Sequence, residues 1–199
     1  MNADLNLLLE ELERFGEAND GGIGRGDPAS AQRMLNITRD TGEFLALLVR
    51  ATRARDILEI GTSNGYSTLW LADAAAADGG KVTTVELHDT KYRMALENFA
   101  RAGLGDRIDS LNADAGEVLR VAGDAAYDMV FLDSDRTQYL GWWPEIRRVL
   151  RPRGLLVVDN AVSHADQIAG FAQTVEADGF TCSLVPVGKG ELLATRGAG

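Results

Sequence analysis

The sequence predicts an α/β fold, a doubly wound and mostly parallel sheet covered by helices on both faces, with helices leading into it. Three observations carry this reading. From Arg55 onward, short apolar runs alternate with helix-length stretches, the pattern of strand-helix-strand units. The last two strand-like runs are joined by Gly188-Lys189-Gly190, a tight turn that adds a closing hairpin and one antiparallel strand. The chain has 199 residues, 45% hydrophobic and 25% charged, which suits one soluble domain with a core of its own. That domain divides into a helical cap over 1–52 and a core over 53–199.

Leu5, Leu8, Leu9, Leu12 and Phe15 recur at helical spacing behind Asn2 or Asp4 as cap, so 3–18 reads as an amphipathic helix. The glycine-rich run 19–27 reads as a loop, and Pro28 as the start of a short helix reaching about Asn36. A helix over 40–52 buries Phe44, Leu45, Leu47 and Leu48. The spacing then predicts strands over 56–60, 81–87, 108–112, 127–132 and 154–158. Helices are expected over 65–77, 90–102, 115–121, 139–150 and 164–177. The closing strands fall over 180–187 and 191–196.

Composition excludes several classes. Acidic residues number 30 and basic residues 20, a formal net charge of −10 that repels polyphosphate and argues against a non-specific nucleic-acid binder. No apolar run is long enough to span a membrane. The start carries Asp4, Glu10, Glu11 and Glu13, unlike a signal peptide. Cys182 is the one cysteine, so no internal disulfide forms. These features point to a cytoplasmic protein.

The candidate site lies where the strands end. After the first strand comes Glu59-Ile60-Gly61-Thr62-Ser63-Asn64-Gly65-Tyr66-Ser67, a glycine-bearing turn that opens a helix and exposes backbone N–H groups. Its spacing is G-x-x-x-G, not the G-x-G-x-x-G of dinucleotide sites, and Glu59 favours a cation over a phosphate. Glu86 ends the second strand, where a carboxylate can accept from both ribose hydroxyls of an adenosine-bearing cofactor. Asp133 and Asp159-Asn160 end the fourth and fifth strands. Their oxygens suit a hard cation such as Mg2+ or Ca2+; as the alternative, Asp159-Asn160 caps a helix or sets a turn.

Together these pieces resemble a family: the class I S-adenosylmethionine-dependent O-methyltransferases of the catechol and caffeoyl-CoA type, in particular small bacterial members. The matching pieces are Leu58-Glu59-Ile60-Gly61 with Gly65-Tyr66-Ser67, Glu86, Phe131-Leu132-Asp133-Ser134-Asp135, Leu150–Gly154, Asp159-Asn160 and Val185–Gly190. The resemblance implies a Rossmann-like sheet of seven strands in the order 3-2-1-4-5-7-6, with strand 7 antiparallel. It implies that Glu59, Gly61, Thr62 and Ser67 line the methionine part of S-adenosylmethionine and that Glu86 takes the ribose. Ala113, Asp114 and Ala115 would flank the adenine, Asp135 would reach the methionine end, and Ile37 and Thr38 would lie beside the cofactor. Asp133, Asp159 and Asn160 would hold a divalent cation, Mg2+ first, with Ca2+ or Mn2+ as alternatives. His164 would sit near a small, catechol-like acceptor, and the chain would form a homodimer.

One position departs from the family. Its members usually carry lysine, the proposed general base, where this chain has Arg136. Arginine keeps its proton, so three readings stay open. The cation alone generates the oxyanion while Arg136 stabilises it; His164 or Asp135 is the base; or the acceptor is already anionic and pairs with Arg136. The first is preferred, which makes Arg136, Asp133 and His164 the candidate catalytic residues. Other functions carried alongside are a tRNA-nucleoside O-methyltransferase using a patch of Arg25, Arg33, Arg39 and Arg147, a nicotinamide-dependent oxidoreductase, and a cofactor-binding protein without turnover. Trp142-Trp143 reads as packing or a subunit contact. The N-terminal helix reads as a cover for the acceptor pocket or for a dimer partner, and the 21–26 loop as a lid or a linker.

Overall fold

The computed structural model describes residues 2–23 and 32–197. Two helices, α1 (Ala3–Gly21) and α2 (Arg39–Thr52), lead into strands β1 (Asp56–Ile60), β2 (Lys81–Glu86), β3 (Ile108–Asn112), β4 (Tyr127–Leu132) and β5 (Leu150–Val158). Between and after them run α3 (Tyr66–Ala76), α4 (Asp89–Arg101), α5 (Ala115–Val121), α6 (Tyr139–Val149) and α7 (Ala165–Ala177). The hairpin of β6 (Thr181–Val185) and β7 (Glu191–Thr195) closes the fold. The seven strands form one sheet in the order β3-β2-β1-β4-β5-β7-β6. Only β7 runs antiparallel to its neighbours β5 and β6. Fold class, strand order and the antiparallel strand agree with the expectation.

Two apolar layers hold the sheet. On one face Leu9, Leu45, Leu69, Trp70 and Phe99 pack against Ile57, Met129 and Phe131. On the other, Leu119, Trp143, Ile146 and Phe171 pack against Leu58, Val130, Leu132 and Leu156. Alternate residues of each strand thus feed opposite layers, the period of two expected of a sheet covered on both sides. α3 is apolar nearly all round because it is wedged between α2 and the sheet, with Leu69, Leu71, Ala72 and Ala74 fully buried.

Three expectations are corrected. Asn2 alone caps α1, accepting from Leu5 N–H at 2.8 Å, and the helix runs on to Gly21. β5 starts at Leu150, not Gly154, because Leu150 pairs with Tyr127 before a bulge shifts the register. Pro28 lies outside the described residues, but the end of the short helix expected after it does not form: Arg33–Ile37 are non-helical. Asp20 takes the N–H groups of Met34 (2.7 Å) and Leu35 (2.8 Å), and Leu35 sits at φ 54°, so the segment is tied to α1 instead. Half of the 21–26 loop, residues 24–26, also lies outside the described residues.

The strands that matter end level. Ile60 pairs with Leu132 and Leu132 with Val158, so the turns after β1, β4 and β5 leave the sheet side by side. Asp133 N–H donates to Ile60 O and Asp159 N–H to Leu132 O, each at 3.0 Å, which carries the ladder one step past each strand. Gly61 makes this possible: at φ 108°, a Cβ there would stand 2.0 Å from Asp133 O. Gly61→Ala should therefore cost about 2–4 kcal/mol in strain and backbone clash, read as a lowered midpoint in urea unfolding. An unchanged midpoint would mean that the β1 and β4 turns can separate freely.

Candidate active site

A cleft of about 1120 Å³ opens over these strand ends, where the strand order reverses between β1 and β4. Open α/β sheets bind ligands at this point. The β1–α3 turn forms its floor. Gly61 and Thr62 donate their N–H groups to Val85 O (3.0 and 3.3 Å), and Ser63 holds a left-handed φ of 49°. Asn64 Oδ1 accepts from Tyr66 N–H, and Ser67 on the first turn of α3 lines the cleft.

Glu86 is 7% exposed at the end of β2, and both its oxygens are fixed by backbone donors. Ser63 N–H reaches one at 2.8 Å and His88 N–H the other at 2.9 Å. The carboxylate is thereby oriented toward the cleft with lone pairs to spare. Beyond it Ala113, Asp114 and Ala115 form a wall, with Asp114 also capping α5 through Glu117 N–H at 3.1 Å. Opposite stands Trp142, whose Nε1 is 3.0 Å from where a Cβ on Gly116 would lie. The sequence reading took Trp142 for packing or a subunit contact; the structure makes it a wall of the cleft. The unusual pairing of a glycine inside α5 with a tryptophan on α6 was the signal.

Four carboxylates share one face of the sheet at its ligand end. Glu59, Asp133, Asp159 and Glu191 stand on or just beyond β1, β4, β5 and β7, all on the side packed by α2 and α3. Glu59 is fully buried and stands behind the cleft wall instead of lining it, a correction to the expected contact. Its oxygens accept from Ser67 Oγ (2.6 Å), Thr84 Oγ1 (2.6 Å) and Thr68 Oγ1. Burial raises its carboxyl to about 7 even though these hydroxyls favour the charged form.

Asn160 ties the next two together. Its Nδ2 donates to Asp133 Oδ1 (3.1 Å) and Asp159 Oδ2 (2.7 Å), while its own N–H meets Asp159 Oδ1 (2.6 Å). Asn160 adopts φ 67°, a conformation few residues other than glycine and asparagine tolerate. Burial, then the charge of Asp159, raises the Asp133 carboxyl above its usual range, and Lys189 and Arg136 oppose that shift. Glu191 was missed by the sequence reading. It is fully buried, accepts from Thr41 Oγ1 at 3.3 Å, and has a second oxygen with no hydrogen-bond partner among the described residues. Burial and the neighbouring Asp159 raise its carboxyl too. An acid in a strand that must lie between two others was the available signal.

The remaining candidates divide. Ile37, Asp135, Arg136 and His164 line the cleft. Thr38 instead occupies the N-cap position of α2, without a side-chain cap bond, and faces an adjoining hollow. Asp135 holds the turn after β4 through Thr137 N–H (3.1 Å) and Oγ1 (2.8 Å). Arg136 Nε donates to Gln167 Oε1 at 2.7 Å, which fixes its guanidinium at the rim. His164 Nδ1 is 2.9 Å from Ser163 Oγ. Of the arginines invoked for tRNA, Arg33 and Arg39 line the adjoining hollow, where Arg39 also faces Glu13 and Glu43; Arg147 faces Asp178, and Arg25 lies outside the described residues. Among the described residues, no helix is long and apolar enough to cross a membrane.

Comparison with known proteins gives a consistent result. A family model described as O-methyltransferase matches residues 25–180. The catechol O-methyltransferase of Mycobacterium tuberculosis is 35% identical over 126 residues, covering 63% of this chain and 57% of that protein. An O-methyltransferase from Bacillus cereus solved in complex with SAH superposes with a TM-score of 0.77 and 26% identity, over 94% of this chain and 89% of that one. The O-methyltransferase TomG from Streptomyces achromogenes, solved with SAM, gives 0.78 and 25% identity over 100% and 91%.

The buried carboxylates make stability depend on pH. A carboxyl raised in the folded state favours folding below its unfolded pKa, and that contribution is lost as pH rises through the folded value. For Glu59 the window runs from about 4.5 to about 7. Glu59→Gln should therefore gain on the parent by up to ~3 kcal/mol between pH 4 and pH 8. Urea unfolding at both values tests this, and a pH-independent difference would show that the Glu59 carboxyl is not raised in the folded state.

Proposed function

The chain belongs to the O-methyltransferase family, and from that premise we propose that it moves the methyl group of S-adenosylmethionine to a hydroxyl of a small, aromatic, catechol-like acceptor, assisted by a divalent cation. The observation that carries this reading is the Asp133–Asn160–Asp159 cluster, level with the β1–α3 turn and one strand away from it. It sets oxygen donors for an acceptor beside a cofactor floor.

In this reading Glu86 accepts from the two ribose hydroxyls, since its oxygens are already oriented by Ser63 and His88. Ala113, Asp114, Ala115 and Trp142 hold the adenine, and Gly61, Thr62, Ser67, Ile37 and Asp135 surround the methionine end. Glu59 acts from behind by fixing Ser67, and Thr38 stands outside the cofactor's own lining at the start of α2. A buried carboxylate, Asp159, beside the half-buried Asp133 calls for a positive partner, which supports a cation at this place. Among the described residues no three Asp, Glu, His or Cys side chains converge to hold one. The set is therefore Asp133, Asp159 and, with its amide turned, Asn160 through Oδ1, an all-oxygen set that fits Mg2+ with water or acceptor oxygens completing the shell. A divalent cation bound there would lower the pKa of the acceptor hydroxyl and help orient it.

The chain's own groups do the rest. The methyl leaves sulfur for oxygen in one displacement, so positioning and charge govern its rate and no covalent enzyme intermediate forms. Arg136 keeps its proton and, from the rim, favours ionisation of the acceptor hydroxyl before transfer. His164, which lines the same cleft, and Asp135 are the alternative groups able to take the proton.

Variants at three positions test the assignment. Glu86→Gln should weaken S-adenosylmethionine binding at least about tenfold by calorimetry, the loss of one charge-assisted bond. Unchanged affinity would remove the ribose role. Asp159→Asn should abolish the divalent-ion dependence of turnover while leaving S-adenosylmethionine affinity intact. Full activity in excess chelator, in the parent, would make the cluster a structural cap. Arg136→Ala should lose about 10²–10³ in turnover with Arg136→Lys recovering much of it, the usual loss for one electrostatic stabiliser. A wild-type rate in the alanine variant would leave the position no role.

A further inference from the structure

The cleft does not end at the carboxylate cluster. It joins a second hollow of about 420 Å³ between the C-terminal part of α1 and the segment 33–39. Arg33 and Lys189 line both spaces and so stand at their junction. Among the described residues neither forms an ion pair or a side-chain hydrogen bond, and Arg33 Nε is buried with no acceptor. A buried N–H without a partner costs about 1–3 kcal/mol, so a binding partner that supplies an acceptor regains it.

Neither side chain sits on loose backbone. Met34 and Leu35, which follow Arg33, are tied to the Asp20 carboxylate. Lys189 O accepts from Val162 N–H (3.1 Å) and Ser163 N–H (2.9 Å). Gly188 N–H is held by Asp40 (3.1 Å), and Gly190 O by Ala161 N–H (2.7 Å). The turn that carries Lys189 is thereby fastened both to α2 and to the loop that carries Asn160. Its ammonium is near enough to Asp133 to favour that group's charged form, which puts it on the acceptor side of the cleft.

The other cations of the cleft are differently engaged. Lys91 is half-buried beside Glu86, on the side assigned to ribose, and Arg136 is tied to Gln167. The acids rimming the second hollow are mostly occupied as well. Glu13 accepts from Tyr66 and faces Arg39, and Asp20 holds the 34–35 backbone, which leaves Glu17. In a chain of net charge −10, an anion would be repelled at long range. Among the described residues Arg33 has no counter-ion, and Lys189, which faces Asp133 without a direct ion pair, adds a second positive charge at the same junction.

We propose that the acceptor is itself an anion, a hydroxylated carboxylic acid whose carboxylate is bound by Arg33 and Lys189 where the cleft opens into the second hollow. The proposal rests on the methyl-transfer reading above and narrows its acceptor class. A guanidinium fork matches a carboxylate edge, and the lysine adds a point charge on its flank. The carboxylate then anchors one end of the acceptor while its hydroxyl meets the Asp133–Asn160 cluster.

The test is calorimetry on the full chain saturated with S-adenosylhomocysteine, with 3,4-dihydroxybenzoate and catechol as probes. The parent should bind the acid at least about tenfold more tightly than catechol, the size of one or two charge-assisted bonds. That preference should fall to near unity in the Arg33→Gln/Lys189→Gln double variant and recover in part in Arg33→Gln/Lys189→Arg. Equal binding of the two probes by the parent, or a preference that survives the double variant, overturns the proposal. So does a parallel loss of S-adenosylhomocysteine affinity, because the two cations would then be serving the cofactor's own carboxylate. Failure of the parent to bind S-adenosylhomocysteine at all would instead sink the methyl-transfer reading, and this proposal with it.

Discussion

The site depends on one close approach, that of the Gly61 backbone to the carbonyl of Asp133. No side chain fits between them. Because β1 and β4 are adjacent and end level, that contact sets the turn that receives a cofactor directly against the turn that carries an acidic ligand. The hydrogen bonds from Asp133 N–H to Ile60 O and from Asp159 N–H to Leu132 O repeat the step across the sheet. Three turns from distant parts of the chain therefore share one frame, whose precision comes from main-chain geometry. Loops alone would not hold reacting groups this closely, and small displacements are costly in a positioned reaction.

The same regularity creates an electrostatic burden. Strands of matching register place Glu59, Asp133, Asp159 and Glu191 on one face; little water reaches Glu59, Asp159 and Glu191, while Asp133 lines the cleft. The structure answers each differently. Glu59 is met by three hydroxyls, Asp133 and Asp159 share one amide, and Glu191 keeps an oxygen without a donor. Backbone strain collects at the same place, with Ser63 and Asn160 both left-handed. Strained residues and crowded acids persist only where the surrounding packing fixes them, and here two full apolar layers do so.

Most of this architecture was legible because it is written locally. Alternating apolar runs located β3, α5 and β4 to the residue, and the Gly188–Gly190 turn foretold the antiparallel strand. The strand-end acids were legible for the same reason, since a strand's C-terminal end can be read from its own pattern. What escaped was decided by partners far along the chain. The 33–37 segment looked helical until Asp20, on α1, claimed its N–H groups. Glu191 looked like an ordinary strand start, and the expected place of β7 between β5 and β6 was not connected to the burial of its first residue. Trp142 became a cleft wall only because a glycine on α5 leaves room for it. Arg33 and Lys189 lie 156 positions apart, and nothing in either's surroundings along the sequence announces the other.

Charge finally explains why the two halves of the cleft should differ. In the proposed reaction a sulfonium cation meets an oxyanion, and transfer removes both charges. Fixed groups that stabilise either reactant too strongly raise the barrier, because the transition state has already lost part of that charge. The acids nearest the cofactor floor avoid this in two ways. Glu59 is withdrawn behind Ser67 with its carboxyl raised to about 7, which moderates its charge, and Asp135 is committed to Thr137. On the acceptor side the same logic favours binding through a group that does not react. A carboxylate held at Arg33 and Lys189 keeps its charge through the transition state, so its binding energy positions the hydroxyl without opposing the loss of charge at the reacting oxygen.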